Sequence, residues 1–301
     1  MRLNLCWLYA ISKYGYPPSI EDTFKVIEEA SKLGFHYMEL EGVREDNIKE
    51  VYENRRKIKE LCEANGIKIM NFCPILPELV DLDDERREKG FELYRIGLEL
   101  AVYFGAELVQ IDSFTPPLKF KGQRPYNENI DFGLDLKIDI DPDFDWEKQW
   151  EVLVKSFSKA AELARKANLK LCVEPRVGEM ISNTDSALRL LDHVKNDNLG
   201  IVLDTAHLHA QKEILPLSVE KLKNKIFYLH VADNDGRVNE HLAIGKGNID
   251  WEGVFLALKK HNFDGYIGID VGRVNNIENE LLYSKNYLVN LCGKLGIDLK
   301  V

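Results

Sequence analysis

Four short apolar stretches each end on a side chain able to hold a metal ion: "KLCVEP" on Glu174, "GIVLDTAH" on Asp204, "FYLHVAD" on His230 and "GYIGID" on Asp270. Read as strands, they place alternate residues on one face, so Cys172 accompanies Glu174, Val202 accompanies Asp204, Tyr228 accompanies His230 and Gly268 accompanies Asp270. A lone acid at a strand end ordinarily caps the next helix or meets solvent, and a lone histidine among apolar residues is ordinarily a hydrogen-bonded core group. Four in register on successive strands change that balance. Three carboxylates converging on one cleft repel one another unless a cation neutralises them. Carboxylates with one imidazole suit Mn2+, Mg2+, Co2+ or Zn2+ rather than a soft thiolate metal.

Such residues need strands that end side by side. Short β-rich runs at 3–11, 36–42, 68–75, 107–113, 170–175, 199–206, 226–232 and 265–271 alternate with amphipathic helical stretches, eight times over. Helix signals punctuate them: Ser19 stands three residues before Asp22, and Gly34, Gly66 and Gly105 close helical runs. Eight βα units in about 300 residues predict a single-domain (β/α)8 TIM barrel, whose site is built at the C-terminal ends of the strands. An open doubly wound sheet is the alternative, but no GxGxxG follows the first strand. Residues 113–145 form a long insertion after strand 4, placed to act as a lid or as a contact between copies in a homo-oligomer.

The composition narrows the partners. With 301 residues, 45% hydrophobic and 30% charged, the chain can bury a large core. Its formal charge of −10 gives no general attraction to nucleic acid or anionic membranes. Five widely spaced cysteines without a CxxC pair read as reduced core residues of a cytoplasmic protein. "LNLCWLYAI" imitates a secretory apolar segment, but no small-residue cleavage site follows it, and it reads as the first strand.

The stretch "LCVEPRVGEMISNTDSALRLLDHVKNDNLGIVLDTAHL", with "YLHVADNDGRVNEHLAIGKGNIDWEGVF" and "GYIGIDVG", resembles the xylose-isomerase-like TIM-barrel superfamily of sugar isomerases and epimerases. The likeness covers essentially the whole chain, with the specific motifs between about 170 and 272. It implies one divalent ion, Mn2+ favoured, bound by Glu174, Asp204, His230 and Asp270, with Glu174 and Asp270 as the catalytic acid/base pair. It also implies substrate contact by His207, and that His241, from the H-x-x-x-G-x-G-x-x-D-W pattern, faces the site. The resembling epimerases carry Glu at strand 8 where this chain has Asp270. One methylene moves a carboxylate by roughly 1 Å, a displacement that can cost about 100-fold in rate. Asp270 therefore suits a ligand better than an acid/base, which brings isomerisation or dehydration by a single base forward against two-base epimerisation.

Weaker signals surround these. Glu39 and Glu41 in "YMELEG" would point inward from strand 2, to bind substrate hydroxyls or to join a buried polar network. "DNDGR" offers Asp233 and Arg237 at the mouth, Arg237 suiting an anionic or hydroxyl-rich substrate. Trp7, Trp146, Trp251, Tyr9 and Phe72 are candidates for an apolar wall, and His209 for a supporting contact. The expected function is a metal-dependent isomerase or epimerase working through an enediolate on a small sugar or keto-polyol. The alternatives are a lyase on the same scaffold, an AP-endonuclease-like nuclease, disfavoured by the lack of histidines in "NFCP" and "QIDSF", and a barrel without catalysis.

Overall fold

The computed structural model describes residues 1–116, 118–122 and 136–301. Eight parallel strands close a barrel: β1 (Arg2–Leu5), β2 (Tyr37–Val43), β3 (Lys68–Ile75), β4 (Leu108–Asp112), β5 (Lys170–Glu174), β6 (Leu199–Asp204), β7 (Ile226–Val231) and β8 (Tyr266–Ile269). Each pairs with its sequence neighbours, and β1 joins β8 in the register Leu3 to Ile267. The helices surrounding it are α1 (Leu8–Tyr14), α2 (Ile20–Lys32), α3 (Arg44–Asn65), α4 (Asp84–Phe104), α5 (Trp146–Lys166), α6 (Thr184–Val194), α7 (Thr205–Ala210), α8 (Leu215–Leu222), α9 (Trp251–Lys260) and α10 (Ile277–Leu295).

The helix boundaries have local causes. Ser19 Oγ accepts the backbone N–H of Asp22 and starts α2, whereas Gly66 and Gly105 take the left-handed conformation that ends α3 and α4.

Alternation along the strands sorts two cores. Leu171, Val173, Ile201, Leu203, Leu229, Val231, Ile267 and Ile269 join the large apolar layer that includes the helices. Cys172, Val202 and Tyr228 join Met70, Leu108 and Tyr266 in a separate cluster. The second set fills the barrel, so the inward register of Glu174, Asp204, His230 and Asp270 follows by period two.

Two elements differ from the sequence expectation. The first strand stops at Leu5 rather than residue 11, and Leu8–Tyr14 is helical. Leu8, Tyr9, Ala10 and Ile11 are buried in that helix, and a short run that is buried throughout looks the same to periodicity in either conformation. The sixth strand ends at Asp204, because Asp204 caps α7. Within the insertion, Lys119–Phe120 pairs antiparallel with Ile138–Asp139. Its expected role as lid or oligomer contact falls in part on residues 117 and 123–135, which lie outside those described.

Candidate active site

Strands β5, β6 and β7 bring Glu174, Asp204 and His230 together, with their coordinating atoms within 4.8 Å of one another. Glu174 Oε1 lies 2.6 Å from His230 Nδ1, and Asp204 Oδ2 lies 3.9 Å from the same nitrogen. Both oxygens are buried without a hydrogen-bond partner among the described residues. A buried polar atom left without a partner costs about 1–3 kcal/mol. A divalent cation is the group that satisfies two carboxylates and an imidazole at once, so this donor set fits one. Burial, reinforced by Glu174 and Asp270 and opposed by His241, pushes the Asp204 carboxyl up to about 7. Asp204 keeps its ordinary role as well, since its Oδ1 accepts the His207 N–H at 2.7 Å. Its other oxygen remains for a ligand.

Asp270 lines the same pocket, yet its Oδ2 is 2.9 Å from His241 Nδ1, and it lies outside the three-residue group. Burial alone would lower the His241 pKa and raise that of Asp270. Their mutual attraction prevails, holding His241 at about 9 and Asp270 below the usual range. The loop carrying His241 is anchored on Asp233, whose carboxylate accepts Gly245 N–H and Trp251 Nε1–H, each at 2.8 Å. Gly247 is required there, because a Cβ would come within 2.2 Å of the Asn234 carbonyl oxygen. The G-x-G-x-x-D-W part of the motif thus holds His241 in place.

His207 is buried, and burial together with His241 and Arg176 lowers its pKa well below the ordinary value. The backbone N–H of Val177 donates to Nδ1 at 3.2 Å, so the neutral ring carries its proton on Nε2. Asp204, His207 and His241 form another close group, but this tautomer leaves His207 an N–H donor at Nε2 rather than a lone pair for a cation.

Residues 27–288 match the family model described as the xylose isomerase-like TIM barrel. The chain belongs to that family. Among curated relatives, it is 31% identical over 171 residues to the uncharacterized protein MJ1311 of Methanocaldococcus jannaschii, covering 52% of this chain and 58% of that one. It is 23% identical over 155 residues to the inosose dehydratase of Clostridium perfringens, covering 46% of this chain and 52% of that one. The alignments thus span little more than half the length of these relatives. A crystal structure of a D-tagatose 3-epimerase-like protein superposes with a TM-score of 0.73 at 20% identity, covering 98% of both chains.

Of the secondary candidates, Glu39 and Glu41 line the pocket of this xylose isomerase-like barrel. Glu39 Oε1 lies 3.0 Å from His230 Nε2 and accepts Tyr228 OH at 2.7 Å. Burial, with Glu39 and Asp112 adding to it, raises the Glu41 carboxyl well above its usual range. Arg237 is outside, 85% exposed and paired with Asp235 at 3.6 Å. His209 bonds Asn248. Of the aromatic candidates only Trp7 lines the pocket, beside Leu8, Ile11 and Ile75. Trp146 packs on Trp150, Tyr9 bonds Glu29, and Trp251 and Phe72 are in the outer core.

Sequence reading misses five residues. Gln110 donates to Glu174 Oε2 at 3.3 Å, Arg176 donates to Asp112 Oδ2 at 2.5 Å, and Asn239 meets His207 Nδ1 at 2.9 Å. Glu179 Oε2 accepts Ser113 N–H, Ser113 Oγ–H and Phe114 N–H within 3.0 Å, fixing the start of the insertion. Alternation along "LVQID" and "VEPR" was the signal for Gln110, Asp112 and Arg176; Glu179 and Asn239 sit on loops that carry none.

Proposed function

We propose that this protein is a divalent-cation-dependent enzyme that moves a proton beside a carbonyl of a small polyhydroxylated ketone, as an isomerase or epimerase. The observation that carries the reading is the pair of buried oxygens, Glu174 Oε1 and Asp204 Oδ2, without hydrogen-bond partners among the described residues and gathered around His230 Nδ1 at the end of the barrel. Glu174, Asp204 and His230 would hold the ion, with Asp270 at its edge. When bound, the ion polarises the carbonyl and stabilises negative charge on its oxygen.

The residues themselves divide the remaining work. Gln110 orients Glu174, which removes the proton from carbon. His207 offers Nε2–H to a substrate oxygen, and His241, oriented by Asp270, stands to return a proton. Trp7, Leu8, Ile11 and Ile75 give the sugar an apolar face. Arg176 is the one Arg or Lys among the described residues lining the pocket, and Asp112 engages it. That favours a neutral substrate over a phosphorylated one.

A lyase is the second reading, favoured by the same Asp270–His241 pair. A cationic imidazole can protonate a departing hydroxyl, so removal of the proton by Glu174 becomes dehydration. Incubating metal-loaded protein with ketohexoses and cyclitol ketones in D2O separates the two. Deuterium in a rearranged sugar of unchanged mass formula supports isomerisation or epimerisation, an unsaturated ketone supports dehydration, and neither exchange nor conversion across the panel overturns both.

A further inference from the structure

His230 has a second face. Its Nε2 is buried, has no hydrogen-bond partner among the described residues, and lies 3.0 Å from Glu39 Oε1. Cys6, just beyond the end of β1, stands beside them, and coordinating atoms of Cys6, Glu39 and His230 lie within 4.8 Å of one another. The three side chains come from different parts of the barrel wall, and each residue is at most 5% exposed.

The space around the thiol is shaped. A Cβ on Gly268 would come within 2.2 Å of Cys6 Sγ and 2.4 Å of Tyr228 OH, so glycine in β8 is what leaves room for both. Tyr228 takes a hydrogen bond from Asn4 at 2.6 Å and donates to Glu39 Oε1, fixing the carboxylate beside the imidazole. Glu39 and His230 line the pocket, so an ion entering the mouth reaches them.

We propose that Cys6, Glu39 and His230 Nε2 form a second cation site, selective for a thiophilic divalent metal such as Zn2+ or Cd2+, whose occupancy excludes the cation held by Glu174, Asp204 and His230 Nδ1. Thiolate with imidazole and carboxylate favours these metals over Mn2+ and Mg2+. Binding forms a metal–sulfur bond and releases the Cys6 proton to solvent. Exclusion follows from the ring itself: a neutral imidazole has one lone pair, so ligation through Nε2 leaves the proton on Nδ1. The Glu174–Asp204 site then loses its nitrogen ligand. This exclusion rests on the cation reading of the active site.

Metal-free protein titrated with Co2+ tests the Cys6 site, because cobalt–thiolate bonding gives a charge-transfer absorption that oxygen and nitrogen ligands do not. The band is expected in the wild type, absent in Cys6→Ser and weakened in Glu39→Gln, a nearly isosteric change that guards against misfolding of the cysteine variant. Absence of the band from the wild type, or its persistence in Cys6→Ser, overturns the site. Mn2+ binding followed by electron paramagnetic resonance tests the exclusion. One equivalent of Zn2+ should weaken Mn2+ binding by at least roughly tenfold in the wild type, the order expected from losing ligand support, and much less in Cys6→Ser. Equal weakening in both overturns the exclusion. If zinc-free wild type binds no Mn2+, the active-site reading fails and the exclusion with it, while a Cys6-dependent cobalt band still supports the Cys6 site.

Discussion

His241 Nδ1 lies 2.9 Å from Asp270 Oδ2 and 2.9 Å from the backbone oxygen of the same residue. A side chain and its own carbonyl therefore fix one ring nitrogen, and the ring is oriented before substrate arrives. Asp270→Asn is expected to lower turnover by about 100-fold, the order of a positioned acid/base. Its effect on Mn2+ affinity should be smaller than that of Asp204→Asn. Equal loss of Mn2+ affinity in the two variants, read by paramagnetic resonance, would move Asp270 into the ligand set.

On the proposed roles of Glu174 as cation ligand and base, Glu174→Gln should lower turnover by at least about 100-fold and weaken Mn2+ binding with it. Chelation of the wild type should abolish turnover and lower the melting temperature, because the buried carboxylates lose their counter-charge. Full activity after exhaustive chelation, checked by elemental analysis, contradicts the assignment.

Glu179 collects donors from Ser113 and Phe114. Its replacement by Ala strands the backbone N–H groups of Ser113 and Phe114, and is expected to destabilise the fold by about 1–3 kcal/mol in urea unfolding. Glu179→Gln keeps an acceptor and should lose less. An Ala variant as stable as the wild type would show that the loop repacks freely.

Lys13 Nζ meets Glu29 at 2.8 Å and Glu278 at 2.6 Å, tying α1 to α2 and to the start of α10. Burial alone would raise the Glu29 pKa, but hydrogen bonds from Lys13, Tyr14 and Tyr9 hold it below the ordinary glutamate value of 4.5. A carboxylate depressed in the folded state contributes stability that is present above 4.5 and lost as pH falls through the folded value. Thermal melts between neutral pH and about pH 3 should therefore show a smaller acid loss in Glu29→Gln than in the wild type. Parallel pH profiles would remove Glu29 from the acid response.

Much of this geometry is legible in the chain because a barrel strand has a strict period of two. Once "KLCVE" is a strand, Leu171 and Val173 face the helices, and Cys172 and Glu174 face inward. The same arithmetic fails at "LNLCWLYAI", where strand and helix are both buried and the pattern carries no direction. It also gives Glu39 an inward direction without revealing that its neighbour is His230 Nε2, since no spacing along one strand encodes which residue stands opposite. Arg237 shows a further limit: the motif that places His241 in the pocket sends a charge four residues earlier into solvent.

The pairing of β1 with β8 has a consequence in time. Arg2 lies opposite Tyr266, so these partners are separated by nearly the whole chain, and the ring closes only once the last strand exists. Contacts this distant in sequence form late, after the entropy of closing the intervening chain has been met. Glu174, Asp204 and His230 can all be synthesised, and their helices formed, before Asp270 and the closing seam are in place. During synthesis the cluster would stand on an open sheet, exposed to whichever ions the surroundings supply.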